Sequence, residues 1–210
     1  MNEVTKPSTL KGLRSLAPHR TTTFSEALRV AELQASRMLT LLKVGADGVA
    51  EHHIADMPRI AIIRQPIPVS GMSHWSGQNW VISICEDDSP ARQRFTLLHE
   101  FKHIIDHGQS GQLYSTGQQA ESAADYFAGC VLVPKTRLKS AWCSGIQNPG
   151  QLAKHFGVSE AAILVRLHQT GLDAASDPQP SRCARPIRTP IGNSQMFRVV
   201  SPAHTNRRFA

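Results

Sequence analysis

His99-Glu100-Phe101-Lys102-His103 is the stretch of sequence that decides the fold. On a helix, residues four apart lie one turn apart on the same face, so the two imidazoles can reach one metal ion. Glu100 lies beside them, placed to take a proton from water at that ion. Apolar residues at helical spacing predict a buried opposite face: Leu97, Leu98, Phe101, Ile104 and Ile105. The stretch predicts a metal site, although a helix with two surface histidines and a solvated glutamate has the same pattern.

A third ligand is expected from the next predicted helix, which runs from about Gln118 to Leu132. A catalytic zinc site uses three protein ligands and keeps one position open for water. Glu121 and Asp125 are four residues apart and share the polar face of that helix. We predict Glu121 as the third ligand, and Asp125 as the acceptor for the free ring N–H of a liganding histidine. Without the two histidines, the same pair would indicate only the wet face of an amphipathic helix.

His107 lies four residues beyond His103 and could also approach the metal. Over the eight residues from His99, however, a helix face rotates by about 80°. We therefore expect His107 to line the cleft or to cap the helix end, supporting the ligands rather than joining them.

The remaining pattern predicts an α+β fold. Short apolar runs predict strands at Ile60–Ile63 and Trp80–Cys85, the second preceded by a turn at Ser76–Asn79. Helical spacing and cap residues predict four further segments: a helix from Ser25 to about Val44, the metal helix from about Pro90 to His107, the Gln118–Leu132 helix, and two short helices around Gly157 within residues 149–171.

The net charge of +7 is located at the two ends of the chain. Residues 1–20 carry four basic residues against one acid, and residues 173–210 carry six arginines against two aspartates, which gives +3 and +4. The segment between them therefore balances to zero. A basic nucleic-acid-binding face on the folded domain is not supported, although the tails could make weak, salt-sensitive contacts.

The cysteines and the hydropathy favour a cytoplasmic protein. Cys85, Cys130, Cys143 and Cys183 show no CxxC spacing and no short secreted framework, so we expect reduced thiols. No apolar run approaches the roughly 18 residues needed to cross a bilayer. Residues 1–20 lack the apolar core of a signal peptide.

Several of these stretches together carry a family resemblance: Arg94–His103, Glu121–Ala128, Leu132-Val133-Pro134, Trp75 with the Trp80–Ile84 strand, and Gln151–Leu172. They resemble the ImmA/IrrE family of metallo-endopeptidases, over about residues 25–172. The Trp75 and Trp80–Ile84 part is similar to the family's hairpin before the metal helix. Three positions depart from the family pattern: Lys102 stands where glycine is common, Ala123 where a second glutamate is common, and Asp125 where asparagine is frequent.

The resemblance implies that His99, His103 and Glu121 hold Zn²⁺ and that Glu100 is the catalytic base. It implies a small zincin-like domain whose short sheet packs on the HExxH helix, with a C-terminal helical hairpin. We accordingly expect four segments: a flexible basic tail over residues 1–22, the metallopeptidase domain over 23–147, a helix-turn-helix-like segment packed on it over 148–172, and a flexible, basic, proline-rich tail over 173–210.

The implied activity is zinc-dependent hydrolysis of peptide bonds in a regulatory protein, such as a transcriptional repressor or an antitoxin. We expect the Trp80–Cys85 strand to offer an edge to which an extended substrate adds. Tyr114, Tyr126 and His107 are candidates for stabilising the oxyanion.

Two other functions stay open. Leu152–Ser159 followed by Ala162-Ile163 has helix-turn-helix spacing, which would suit a DNA-binding regulator. Arg166 is the only lysine or arginine of the would-be recognition helix, which favours a packed helical hairpin instead. The third possibility is a catalytically idle module that binds a metal or a partner.

Overall fold

A computed structural model of the protein describes residues 8–45 and 48–172. In chain order, the elements within these ranges are α1 (Thr9–Arg14), α2 (Phe24–Leu41), α3 (His52–Ala55), β1 (Ile60–Gln65), β2 (Gly71–Trp75), β3 (Trp80–Cys85), α4 (Pro90–Asp106), α5 (Ser110–Leu113), α6 (Gly117–Leu132), α7 (Lys135–Cys143), α8 (Pro149–Phe156) and α9 (Glu160–Thr170). The predicted α+β class is confirmed, with one short sheet packed on the HExxH helix and a helical hairpin after it.

The sheet has the order β1-β3-β2. β3 pairs in parallel with β1, with Ile60 opposite Trp80, and antiparallel with β2, with Trp75 opposite Trp80. The expectation that the Trp80–Cys85 strand offers a free edge is therefore wrong, because β3 is hydrogen-bonded on both sides. The edge on the hairpin side belongs to β2.

α4 begins and ends as its sequence predicts. The Ser89 side chain accepts a hydrogen bond from the Arg92 backbone N–H, and Pro90 occupies the first turn, where its missing N–H costs nothing. Its apolar face packs against α6, β2 and β3. β2 approaches so closely that a Cβ at Gly71 would lie 2.3 Å from Thr96 Cγ2, so only glycine fits there.

α2 begins two residues earlier than the Ser25 cap predicted. Thr23 is the N-cap: its side chain accepts from the Glu26 backbone N–H, and the Glu26 side chain accepts from the Thr23 backbone N–H at 2.9 Å. This reciprocal capping box satisfies two backbone donors at once. Ser25 has no glutamate or glutamine three residues later, so Thr23 is the better cap.

The prediction of a flexible tail over residues 1–22 is wrong for residues 8–22. α1 lies within them, and Leu13 is fully buried in the main core. Arg14 donates to the backbone carbonyls of Ile104 and Ile105 at 2.7 and 3.2 Å, which ties α1 to the end of α4. Residues 8–22 contain few apolar residues beside the basic ones, so the sequence pattern does not indicate that this segment is buried. Residues 1–7 and the predicted tail 173–210 lie outside the described residues.

The thiol prediction holds at two of the described cysteines. Cys85 and Cys130 are free and buried. Cys143 is disulfide-bonded, so the expectation of reduced thiols is wrong there. In residues 8–45 and 48–172, no helix combines the length and the hydropathy needed to cross a bilayer.

Lys102, the family departure inside the HExxH helix, is fully buried in an ionic cluster. Its Nζ lies 2.6 and 2.5 Å from the two carboxylate oxygens of Asp106, one turn later on α4. The Tyr114 hydroxyl donates to Asp106 Oδ2 at 2.6 Å. Burial lowers the pKa of Lys102, against the opposing effect of the Asp106 charge. The cluster joins α4 to the residue that ends α5.

We expect Lys102→Met to lower the free energy of unfolding by about 3–5 kcal/mol, because it leaves the buried Asp106 carboxylate without its cation. Lys102→Met combined with Asp106→Leu removes both charges and should recover most of that loss. Urea denaturation with a chelator present measures the effect without a contribution from bound metal. Exposed Lys139→Met is the matched control, expected to change stability by less than about 0.5 kcal/mol. Equal effects at Lys102 and Lys139 would contradict this assignment.

Candidate metal centre

The two histidines of α4 lie side by side on the face opposite its buried apolar residues. His99 and His103 are one turn apart, and their Nε2 atoms are 3.1 Å from each other. The rings meet edge to face, with centroids 4.9 Å apart. Both imidazoles are partly exposed, so the pair is open to an ion from solvent.

α6 brings two carboxylates to this pair. The Thr116 side chain caps the helix by accepting from the Gln119 backbone N–H. Ala124, Phe127 and Ala128 are buried on one face, and α6 packs against both α2 and α4. Glu121 and Asp125 are exposed on the opposite face, as their spacing predicted.

Glu121 reaches both histidines. Its Oε2 lies 3.1 Å from His99 Nε2, and its Oε1 lies 3.5 Å from His103 Nε2. With the 3.1 Å between the two Nε2 atoms, these distances define a triangle of two nitrogens and one carboxylate. Within the described residues, His99, His103 and Glu121 form a group that could hold a metal ion, their ligand atoms all lying within 4.8 Å of one another.

The triangle has the size that a tetrahedral ion requires. Ligand bonds of about 2.0–2.1 Å at tetrahedral angles put neighbouring ligand atoms about 3.3 Å apart. The two Nε2 atoms, 3.1 Å apart, lie near that separation, and Glu121 approaches each of them with a different carboxylate oxygen, at 3.1 Å for His99 and 3.5 Å for His103. Two imidazoles and one carboxylate are also a donor set found in catalytic zinc sites, with the fourth position left open. The residues present therefore fit the metal that the sequence predicted.

Asp125 fixes the tautomer of His99. Its Oδ1 lies 2.8 Å from His99 Nδ1, and because an ionised carboxylate only accepts hydrogen bonds, Nδ1 must carry the proton. Nε2 of the neutral ring then presents a lone pair to the triangle. Burial disfavours the imidazolium, but the Asp125 hydrogen bond and the charges of Asp125, Glu100 and Glu121 outweigh it and raise the pKa of His99.

Glu100 is buried between α4 and the sheet, with 8% of its surface exposed. Its Oε2 accepts a hydrogen bond of 2.9 Å from the Ser73 hydroxyl on β2. Ser73 lies on β2, the hairpin strand for which the sequence predicts no bounds. Alternation along Gly71–Trp75 would have placed Ser73 on the same face of the sheet as Gly71, which contacts α4.

The other predicted site residues lie away from the triangle. His107 caps the end of α4, and its ring packs edge-on against Trp80 at a centroid distance of 4.7 Å. The Tyr114 hydroxyl is bound to Asp106, and the Tyr126 hydroxyl donates to Glu32. None of these three candidate oxyanion residues is brought to the three-residue group.

Comparisons with known proteins bear on the fold and on the family of this chain. A search of curated protein sequences gave no significant match. Among solved structures, a Mycobacterium tuberculosis transcriptional regulator is similar with a TM-score of 0.53 and 18% sequence identity. The similarity covers 77% of this chain and 52% of that one, so this chain spans about half the length of its structural relative. At this identity the likeness concerns the fold alone.

The family comparison is more specific. Residues 58–168, more than half of the chain, match the Peptidase_M78 family model, described as an IrrE N-terminal-like domain. The match includes both helices that form the metal centre and the strands packed on them. The resemblance inferred from the motifs is thereby confirmed: the chain belongs to the Peptidase_M78 family, whose members are metal-dependent peptidases.

Proposed function

We propose that the protein is a zinc-dependent endopeptidase that cleaves a regulatory protein in the cytoplasm. The observation that carries the proposal is the triangle of His99, His103 and Glu121, with the Glu100 carboxylate on the same helix as the two histidines. Family membership supports a metallopeptidase. The choice of zinc rests on the donor set and its spacing.

In this proposal His99, His103 and Glu121 hold the zinc ion. When bound, zinc supplies Lewis-acid chemistry, polarising a carbonyl group and making water more acidic. Asp125 keeps the His99 ring in the tautomer and orientation that leave Nε2 free to bind.

Glu100 acts as the general base and then as the general acid. Ser73 occupies Oε2, so proton acceptance falls to Oε1. A proton taken from water as the water attacks the scissile carbonyl is held on Glu100 and delivered to the leaving amine. The burial of Glu100 and its hydrogen bond to Ser73 restrict the carboxylate to one orientation. The proposed base is therefore already oriented before the reaction.

The substrate is proposed to lie along β2. Among residues 8–45 and 48–172, β2 is an edge strand with a neighbour on one side only, and its Ser73 contacts Glu100. An extended peptide that adds to this edge gains backbone hydrogen bonds and passes the catalytic carboxylate. This replaces the arrangement expected from sequence, in which β3 was the edge.

We infer that the substrate is a transcriptional repressor or an antitoxin. This rests on the resemblance described above, and the name of the structural relative, a transcriptional regulator, points to the same kind of process. For the basic ends of the chain we propose only a minor role, in which they make weak contacts with nucleic acid.

A DNA-binding function for residues 149–168 is disfavoured by one side chain. Arg166, the only lysine or arginine of α9, is 2% exposed and donates to the Val133 carbonyl. It is therefore turned away from any nucleic acid that α9 would meet. A gel-shift titration at low and physiological salt tests this, and sequence-specific binding at physiological salt would restore the DNA-binding alternative.

Glu100→Gln tests the catalytic proposal. It should lower the cleavage rate of a co-expressed candidate repressor by about 10²–10⁴-fold, because the amide cannot accept the proton. Zinc content should remain unchanged, as measured by metal analysis of the purified variant. Exposed Glu86→Gln is the matched control and should cleave at the wild-type rate. Cleavage by Glu100→Gln at the wild-type rate would refute the mechanism, and the absence of cleavage by any form would favour an idle metal-binding module.

Asp125→Ala should weaken zinc binding by about 10–100-fold, because His99 loses the acceptor that orients its ring. Competition against a chelator of known affinity measures this directly. Glu121→Ala, which removes a ligand, should weaken binding further. Exposed Asp87→Ala serves as the control, with unchanged affinity. If Asp125→Ala and Asp87→Ala bind zinc alike, the orienting role of Asp125 is wrong.

Ser73→Ala should lower kcat by about tenfold, because Glu100 loses the hydrogen bond that orients it. KM and zinc affinity should change little. Ser73→Thr keeps a hydroxyl and should recover much of kcat. A loss of kcat that Ser73→Thr repeats in full would indicate a packing role rather than an orienting one.

A further inference from the structure

A cavity of about 350 Å³ lies at the end of the sheet where β2 ends and β3 begins. Trp75 and Trp80 form part of its wall, and Arg14 and Arg59 also line it. Its lining includes none of the three residues of the metal centre. Its volume falls in the range of ordinary small-ligand and side-chain pockets, about 300–1,000 Å³.

The cavity is close to the proposed catalytic base. Gly71, Ser73 and Trp75 alternate along β2 and so share one face of the sheet, the face that Gly71 and Ser73 turn to α4. Trp75 lies two residues beyond Ser73, about 6–7 Å along the strand. Trp80 also contacts His107 at the end of α4, one turn past His103. A peptide on the β2 edge that passes Glu100 would therefore reach the cavity within two or three residues.

The charged side chains that line the cavity are all positive. The cavity is lined by two arginines, and the lining includes no aspartate or glutamate. Arg14 uses Nε and Nη2 to bind the carbonyls of Ile105 and Ile104, which leaves Nη1 for another acceptor. A carboxylate is the group that best matches such guanidinium donors.

Arg59 has an unusual backbone for its residue type. Its φ is +63°, in the left-handed region that favours glycine. Arg59 is exposed, and within residues 8–45 and 48–172 its guanidinium makes no ion pair. Its backbone carbonyl accepts a hydrogen bond from the Trp80 N–H at 2.8 Å, and a residue held at an unfavourable φ is a reason to look for a function.

We propose that this cavity is a substrate subsite for an acidic side chain. An aspartate or glutamate of the substrate, two or three residues from the scissile bond, enters the cavity beside the paired tryptophan rings and meets the guanidinium groups of Arg59 and Arg14. The inference rests on the proposed function, because it assumes that a peptide lies along β2. It adds a preference for acidic residues that the catalytic centre alone does not provide.

The first experiment maps cleavage sites in a complex peptide mixture. The zinc-loaded full chain is incubated with chymotryptic peptides of a bacterial proteome, and new termini are identified by mass spectrometry. We expect aspartate and glutamate to be enriched about tenfold at one position within three residues of the cut, as one charge-assisted contact allows. Enrichment of aromatic residues there, or no enrichment, would overturn the subsite and leave the peptidase proposal standing.

Charge reversal gives the sharper comparison. Arg59→Glu should lose the acidic preference and favour lysine or arginine at the same position. Arg59→Gly suits the positive φ and so should fold well, and it should also lose the preference. Arg29→Glu, on the exposed face of α2, is the matched control and should keep the wild-type profile. An acidic preference that survives both Arg59 variants would refute the assignment.

A binding measurement separates failure of the subsite from failure of the peptidase proposal. Of the three tryptophans, Trp142 lies in α7, so Glu100→Gln/Trp142→Phe leaves only Trp75 and Trp80 to report. The capped peptide Ala-Ala-Glu-Ala-Ala should change their fluorescence saturably, and its glutamine analogue should bind about tenfold more weakly. If the wild type cleaves nothing, the peptidase proposal fails, and this titration decides the subsite. Equal responses to both peptides, or no saturation, would overturn it.

Discussion

The packing of α4 against α6 is the constraint on which the metal centre depends. Neither helix carries all three candidate ligands, because His99 and His103 lie on α4 and Glu121 lies on α6. The apolar faces of the two helices are buried together, which sets their polar faces at a distance where His99 contacts both Glu121 and Asp125. The spacing of the ligand atoms is thus decided by core packing, and a change of helix separation would alter it directly.

The sheet adds the base to this pair of helices. Gly71 allows β2 to lie against Thr96, and two residues later Ser73 meets Glu100. The strand that orients the proposed base is also an edge strand of the described sheet, so the proposed catalysis and the proposed substrate binding both involve this one short element. Lys102 and Asp106 are buried within the same helix, beside Tyr114. Buried charged groups must keep their hydrogen-bond partners in place. This gives α4 a defined position against the end of α5.

Local pattern was sufficient to predict the elements whose signals lie within a few residues. The period of α4 and α6, the β3 run and the Gly157 turn all appear in the structure near the predicted places. Ser25 precedes the apolar stripe, which favours it as the cap of α2, whereas the Thr23–Glu26 capping box decides the start. Local pattern predicts neither α1 nor the bounds of β2, for another reason. α1 is held by Leu13 in the core and by Arg14 on α4, and β2 by its pairing with β3. Those contacts are long-range and leave no local pattern.

The candidate site shows the same difference between features with a local sequence pattern and features that depend on long-range contacts. Four-residue spacing predicts that His99 and His103 share one face, and that Glu121 and Asp125 share another, because helical geometry converts that spacing into a shared face. Ser73 and the arginine–tryptophan cavity depend on which strand is the edge and on where α1 packs. Neither can be read from spacing along the chain.

The helix-turn-helix spacing near the C-terminus has a packing explanation. The chain turns between α8 and α9 at Gly157. The φ of this residue is +62°, in the left-handed region that favours glycine. Arg166 then lies over the Tyr126 ring at 5.6 Å and donates to the Val133 carbonyl just after α6. A Cβ at Gly129 would lie 3.0 Å from Arg166 Cδ, so α6 offers a small residue where this side chain crosses. A DNA-binding helix would present such an arginine to phosphates. Here Arg166 packs against α6, the helix that contains Glu121. The hairpin therefore belongs to the support of the metal centre, and its spacing alone is not a signal for nucleic acid.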